Sequence, residues 1–247
     1  MKELFDMSNQ DPLAKIDEAL ADMTRAAGGK TKSKRKKQRS FSFRLLLLRI
    51  VVTLALLICP FIILVRGSVY LHLQTGLNHW IALSVAVVGA TVFLLLVVFL
   101  VLRKRAVSAF KSVSRISLFL VLTYCIYTLV YVSGANVKTE AIRSTYRSLH
   151  PLLRVGVSTL VTFNKSLVIT DVAREPDDYR AMGLSKPSQS FHYPQEDGYV
   201  HAIDLRTIGR PEWKNFMVTS YFRLMGFKTL RHIGTADHLH VYLPLRE

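Results

Sequence analysis

The chain has 247 residues, half of them hydrophobic, and it nevertheless carries a formal net charge of +16 at pH 7. One soluble globule rarely combines these properties, so we expect them to lie in different segments. The sequence divides accordingly into a polar, basic segment (1–44), an apolar segment (45–135) and a segment of mixed composition (136–247). The last segment is long enough to form one modest hydrophobic core.

The first segment begins with a predicted amphipathic helix. Asp11 and Pro12 are a typical N-cap and first helical residue, and apolar residues recur at helical spacing until Gly28 and Gly29 interrupt the pattern. A dense basic stretch, KTKSKRKKQRSFSFR, follows and directly precedes the apolar segment. We interpret it as a topogenic signal that contacts anionic lipid headgroups, and we expect no nucleic-acid partner.

Three apolar runs follow, each close to the roughly 20 residues that a helix needs to cross a lipid bilayer. They cover 45–65, 80–102 and 116–133. Basic residues are dense before the first run and between the second and third, whereas the loop between the first two runs has few. By the positive-inside rule, this multi-pass protein of the cytoplasmic membrane has its N-terminus in the cytoplasm and residues 136–247 on the periplasmic or extracytoplasmic side.

The third segment predicts an α+β domain with a small antiparallel sheet. One helix, or two broken near Pro151, should precede a short strand; a loop, a second strand, a helix and a final pair of strands should follow. The final pair surrounds a turn at 234–237. The last helix has apolar residues at spacings of three and four, namely Trp213, Phe216, Met217, Tyr221 and Leu224, and the aromatic residues of 211–227 are assigned to the core.

Strand periodicity indicates which polar side chains of this domain can meet. In HLHVYL, His238 and His240 share one face, and in YVHAIDL, Asp204 lies on the face opposite His201. A carboxylate on an otherwise apolar strand is costly to bury without a partner, and a metal ion is one such partner. Catalytic zinc sites use three protein ligands, commonly His or carboxylate, although two histidines close together on a strand can equally be surface residues.

Three ordered segments resemble a known family. They are SLVITDVAREPDDYRAMG, SFHYPQEDGYVHAIDLRT and DHLHVY, which together extend from Ser166 to Tyr242. Their order and their predicted elements are similar to those of the D-alanyl-D-alanine carboxypeptidase (VanY-type) zinc peptidases, relatives of the murein endopeptidases and of the hedgehog signalling domain. The resemblance implies a zinc-peptidase-like fold and a bound Zn2+ ion, with His192, Asp204 and His240 as its ligands.

The same resemblance implies roles for four further residues. Asp237 stands where the family has a glutamate that acts as general base, and His238 would face the site and stabilise the tetrahedral intermediate. Arg174 would bind the substrate carboxylate, and Ser190 would lie in the substrate-facing loop. The other histidines outside this pattern, His72, His79, His150 and His232, are interpreted as structural.

The sequence departs from the family's pattern near the predicted ligands. His192 lies twelve residues before Asp204, a longer spacing than in the family, so part of YPQEDGY must loop out. His201 is therefore a rival for the position of first ligand. Asp237 is also shorter than the family's glutamate by one methylene group.

The expected function is that of a membrane-anchored zinc metallopeptidase which hydrolyses peptide bonds of peptidoglycan. It would act as a D,D- or L,D-carboxypeptidase or as an endopeptidase. The alternative is a non-catalytic module with the peptidase fold that serves cell-wall binding, signalling or assembly.

Overall fold

The computed structural model of the protein describes residues 12–27, 43–102, 104–181, 183, 185, 189–234 and 237–245. It divides into two compact units, 1–46 and 47–247. The first contains helix α1, Pro12–Ala27, at the position where the sequence predicts a helix. The basic stretch after α1 lies mostly outside the described residues, so its contact with anionic lipids stays a prediction.

Within the described residues, three helices are long and apolar enough to cross a membrane, as the sequence predicts. The first, Phe43–Thr75, consists of α2 (Phe43–Ile62), a π-helical turn (Ile63–Gly67) and α3 (Ser68–Thr75). It ends at Gly76, whose φ of 76° is a left-handed conformation that favours glycine. The second and third spans, His79–Leu100 and Phe110–Val130, lie within α4 (His79–Leu102) and α5 (Lys104–Val130).

Two helices separated near Pro151 follow the membrane spans. They are α6 (Glu140–Thr145) and α7 (Pro151–Phe163). Most of α7 is buried because it packs against α4, α5 and the π-helical turn. Two hydrogen bonds join α7 to α5: the Tyr124 hydroxyl donates to Thr159 Oγ1 at 2.7 Å, and Arg154 Nη1 donates to the Leu129 carbonyl at 2.9 Å. Through α7, the C-terminal segment is packed and bonded directly onto the membrane helices.

The C-terminal segment contains a four-stranded antiparallel sheet with the strand order β1-β2-β4-β3. Its strands are β1 (Ile169–Asp171), β2 (Ala202–Arg206), β3 (Lys228–His232) and β4 (His238–Tyr242). The predicted antiparallel pair at the C-terminus is confirmed as the β3–β4 hairpin. Helices α8 (Pro176–Ala181) and α9 (Glu212–Met225) complete the segment.

One face of this sheet belongs to the hydrophobic core. Alternation along β2 and β4 gives one face to Ile203, Leu205, Leu239 and Val241, each at most 1% exposed. These side chains join the same buried cluster as residues of α7 and of the membrane helices. Since strand side chains alternate, the other face of β2 and β4 is left to their polar residues.

The core assignment within α9 is wrong for Trp213 and Phe216, whereas Phe222 is buried as predicted. Trp213, Phe216, Met217 and Leu224 are between 59% and 71% exposed. The buried positions of α9 are instead Asn215, Val218, Phe222 and Met225. This helix carries apolar residues on more than one face, so helical spacing alone cannot identify the face that packs. The ring of Phe222 decides it by contacting Phe227, which follows the helix.

The approach of α7 to the chain after α9 depends on Gly156. A Cβ at this position would lie 2.6 Å from Cε2 of Phe227, closer than carbon atoms can pack. We expect Gly156→Ala to lower the free energy of unfolding by about 1–3 kcal/mol through overpacking. The measurement is the thermal midpoint of the full chain in detergent.

Gly67 offers a matched control for this substitution. It is also helical, but its added Cβ would meet nothing closer than the Ala86 Cβ at 4.0 Å. Gly67→Ala should therefore leave the midpoint unchanged or raise it slightly. Equal midpoints for both variants would contradict the proposed close packing at Gly156.

Candidate metal centre

Strand register brings Asp204 and His240 together. The two residues are direct partners across the β2–β4 ladder, on the sheet face opposite the hydrophobic core. Asp204 Oδ1 lies 2.8 Å from His240 Nδ1. Asp204 is buried and His240 is partly buried, so the carboxylate has been removed from water and requires compensation from its neighbours.

His192 reaches this pair from the loop before β2. Its Nδ1 donates to the Val172 carbonyl at 2.5 Å, and its backbone N–H donates to Ser190 Oγ at 3.2 Å. The remaining ring nitrogen, Nε2, lies 3.3 Å from His240 Nδ1 and 3.4 Å from Asp204 Oδ1. The structure therefore brings together His192, Asp204 and His240, the three residues that the sequence predicts as ligands, in a group that could hold a metal ion.

The donor atoms of this group suit a small cation. Because His192 Nδ1–H donates a hydrogen bond to the Val172 carbonyl, Nε2 of the neutral ring carries a lone pair. This lone pair faces a carboxylate oxygen and another imidazole nitrogen. Such an arrangement needs a proton or a cation between the three atoms. Ligands about 2.0–2.1 Å from a tetrahedral zinc ion lie roughly 3.3 Å apart. Two of the observed separations, 3.3 and 3.4 Å, match that value, whereas the third, 2.8 Å between Asp204 Oδ1 and His240 Nδ1, is shorter.

Arg174 supports the centre through Asp204. Its Nη2 donates to Asp204 Oδ2 at 2.6 Å, and its Nε donates to Asp171 Oδ2 at 2.5 Å. Burial by itself would raise the pKa of Asp204, but without a metal the His192 and His240 rings act as proton donors to the carboxylate and hold that pKa well below its usual range. Asp204 is thus ionised, with Oδ1 directed at the histidines and Oδ2 held by arginine.

Ser190 and Tyr179 connect the predicted substrate residues to the ligand loop. The hydroxyl groups of Tyr179 and Ser190 lie 2.9 Å apart, and the Arg174 guanidinium lies 5.4 Å from the centre of the Tyr179 ring. Arg174 and Ser190 therefore lie beside the candidate ligands, where Arg174 hydrogen-bonds to Asp204 and Ser190 accepts a hydrogen bond from the backbone of His192. Their contact with a substrate stays a prediction.

The Asp237 carboxylate, predicted as the general base, is bound by residues outside this group. Its carboxylate accepts two hydrogen bonds from Arg231, at 3.1 and 2.8 Å, and one from the Thr207 hydroxyl at 2.5 Å. Arg231 pairs with Leu239 on the core side of the sheet. Hydrogen bonds from Arg231 and then from Thr207 lower the pKa of Asp237 to about 2, which makes it a poor proton acceptor near neutral pH.

Two histidines occupy the ligand face beside the candidate centre. His238 Nε2 lies 3.6 Å from Asp204 Oδ2, and the ring of His232 stacks on that of His238 with centroids 4.8 Å apart. Sequence reasoning placed His238 here but interpreted His232 as structural. The missed signal was the predicted hairpin itself, since its turn places His232 directly opposite His238.

His201, the rival first ligand, points away from the centre. Its Nε2 lies 2.9 Å from Asp197 Oδ2, in a separate group of histidines. Strand alternation explains this outcome because His201 and Asp204 are three residues apart and project to opposite faces.

No family model matches this chain, and no match to it was found among curated proteins or solved structures. The interpretation of the site therefore depends on its own residues and on their geometry.

The contact between Asp237 and Arg231 predicts a specific pH dependence. Because the folded protein lowers the pKa of Asp237 to about 2, the contact stabilises the fold fully above the unfolded pKa of roughly 3.9 and is lost as the pH falls through 2. Asp237→Asn should therefore lower the unfolding midpoint at pH 6, by a few degrees, and the deficit should shrink between about pH 4 and pH 2.

Asp177→Asn is the matched control, because the Asp177 side chain is 82% exposed. It should change the midpoint little at any pH in this range. A deficit for Asp237→Asn that is the same at pH 6 and at pH 2 would refute the contact with Arg231.

Proposed function

We propose that the protein is a membrane-anchored zinc metallopeptidase that hydrolyses a peptide bond of peptidoglycan. The observation that carries this proposal is the meeting of His192 Nε2, Asp204 Oδ1 and His240 Nδ1, supplied by a loop and two strands, within hydrogen-bonding distance of one another. Two histidines and a carboxylate, with one coordination position left for water, are a ligand set of catalytic zinc. The substrate class is supported by the resemblance to the VanY-type peptidases.

Zinc, when bound, would lower the pKa of a coordinated water to about 7 and polarise the scissile carbonyl. We assign the proton-accepting role to His238, on the same face as the ligands. Its side chain is 24% exposed, whereas Asp204 beneath it is 3% exposed, so His238 lies toward the side from which a substrate arrives. Asp237 is unsuited to this role because Arg231 holds its charge.

Arg174 is a positioning residue in this proposal. By holding Oδ2 of Asp204 it fixes the direction of Oδ1, in the way that groups hydrogen-bonded to metal ligands set ligand geometry. Ser190 acts similarly on the His192 loop through the backbone N–H of His192. Both residues remain close enough to the ligands to bind a substrate carboxylate as well.

The test is to incubate the full chain in detergent with purified muropeptides, with and without chelator, and to identify products by mass. We expect His240→Ala to lose both zinc and activity. His238→Gln should keep zinc and reduce kcat by roughly 100-fold or more, the usual contribution of a positioned acid or base. Asp237→Asn should retain most of the activity, which separates the two candidate bases.

The engagement of Asp237 by Arg231 also favours a second candidate function. A peptidase fold without its usual base could bind a cell-wall peptide without cutting it, and the membrane helices would then transmit or anchor that binding. Two results together would support this candidate and exclude the peptidase. The unmodified chain would bind zinc and muropeptide without cleaving the muropeptide, and His240→Ala would lose both kinds of binding.

Either candidate requires the sheet to lie outside the cytoplasm. Alkaline phosphatase, which needs disulfides and therefore an oxidising compartment, should be active when fused after the C-terminus and inactive when fused before residue 1. A green fluorescent fusion partner that gives the opposite pattern is the control. Activity of the N-terminal fusion alone would reverse the predicted topology.

A further inference from the structure

A second group of histidines lies where the membrane helices meet the C-terminal segment. Four of the eight histidines of the chain belong to it: His72 at the end of α3, His79 at the start of α4, His150 before α7, and His201 before β2. The ring of His150 is central, with centroid distances of 4.7 Å to His201, 4.9 Å to His79 and 5.3 Å to His72.

A carboxylate completes this group. Asp197 Oδ2 lies 3.5 Å from His150 Nε2 and 2.9 Å from His201 Nε2. One ligand atom from each of His79, His150 and Asp197 lies within 4.8 Å of the other two. The three side chains come from a membrane helix, from the N-cap of α7 and from the loop between His192 and Asp204, so only the folded chain assembles them.

Two nitrogens of this group are buried without a hydrogen-bond partner, although His150 Nε2 lies 3.5 Å from Asp197 Oδ2. Among the described residues, neither His79 Nε2 nor His150 Nε2 has a hydrogen-bond partner, and the two residues are 7% and 0% exposed. Buried polar atoms in native proteins almost always have a partner, so two such nitrogens beside one carboxylate indicate a missing ligand. A cation would give both nitrogens a partner, once they are unprotonated, and would compensate the charge of Asp197.

We propose that His79, His150 and Asp197 bind a second zinc ion, distinct from the candidate centre at His192, Asp204 and His240. Two imidazoles and one carboxylate suit zinc, whereas magnesium and calcium prefer sites made of oxygen alone. His201 holds the carboxylate of Asp197 from the other side, as hydrogen-bonding neighbours of metal ligands commonly do. Asp197 and His201 also line a cavity of about 870 Å³, so the carboxylate side of the proposed site borders that cavity.

Zinc at Nε2 of His150 requires the ring proton on Nδ1. That nitrogen now accepts the Leu152 N–H at 3.3 Å, a long bond at the first turn of α7. Coordination by a metal is much stronger than such a cap, so binding exchanges the cap for the metal bond. Leu152 N–H is one of the helix-terminal donors that water or a 3-10 turn can also satisfy.

The consequence is a structural link between membrane and sheet. The ion would bond the first residue of α4 to the N-cap of α7 and to the segment 193–200. That segment connects His192 to Asp204, two ligands of the first centre. The second ion would therefore limit the movement of the first centre relative to the membrane helices.

The experiment is to measure zinc by mass spectrometry in the full chain, purified in detergent without a polyhistidine tag and dialysed against a weak chelator. We expect two equivalents in the unmodified protein and one equivalent in each of Asp197→Asn, His150→Gln and His79→Ala. His240→Ala should also retain one, and the double variant His79→Ala/His240→Ala should retain none. Asp197→Asn carries the least risk of misfolding because the Asp197 side chain is partly exposed.

His72→Ala is the matched control, since its ring borders the group while its Nδ1 bonds to the Leu77 carbonyl at 2.8 Å. It should retain two equivalents. Zinc content that is the same in Asp197→Asn and His79→Ala as in the unmodified chain overturns the second site. If Asp197→Asn and His79→Ala lose zinc but His240→Ala does not, the result supports the second site and refutes the first. The two proposed zinc sites can therefore be refuted independently.

Discussion

The buried carboxylate of Asp204 is the constraint on which the site and its surroundings depend. An ionised carboxylate in a protein interior costs several kcal/mol unless charges and hydrogen bonds compensate it. Asp204 obtains that compensation from His240 across the ladder, from His192 in the preceding loop and from Arg174 after β1. These partners come from three separate parts of the chain, so satisfying one carboxylate fixes their relative positions.

The hydrophobic core holds this arrangement in register. Leu205 and Leu239 are paired residues of β2 and β4, both fully or almost fully buried, and a slip of one residue would expose them and bury their polar neighbours. The same core continues into α7 and the membrane helices, where Val65 and Leu153 are completely buried. The sheet is consequently packed onto the membrane helices through a common core, and its stability cannot be separated from theirs.

Local patterns predicted the parts of the structure that local patterns control. Hydrophobic length identified the three spans, and alternation put His238 with His240 on one face of their strand and separated Asp204 from His201 on theirs. Spacing could not show which side of α9 packs, because Phe222 is selected by Phe227 and not by its own helix. Spacing also could not show that Arg231 donates hydrogen bonds to Asp237. Nor could it show that the rings of His79 and His150, about seventy residues apart, lie next to each other. Both contacts depend on long-range packing.

The long spacing between His192 and Asp204 acquires a physical explanation from the second histidine group. The residues in between include Asp197 and His201, and both contact that group and not the first centre. The loop is anchored at one end by the Val172 carbonyl, which bonds to His192, and at the other by the ladder that contains Asp204. Between these anchors the segment reaches His150 through Asp197, so one stretch of chain supplies side chains to both groups. A shorter loop could still present His192 to Asp204, but it would leave His150 and His79 without a carboxylate.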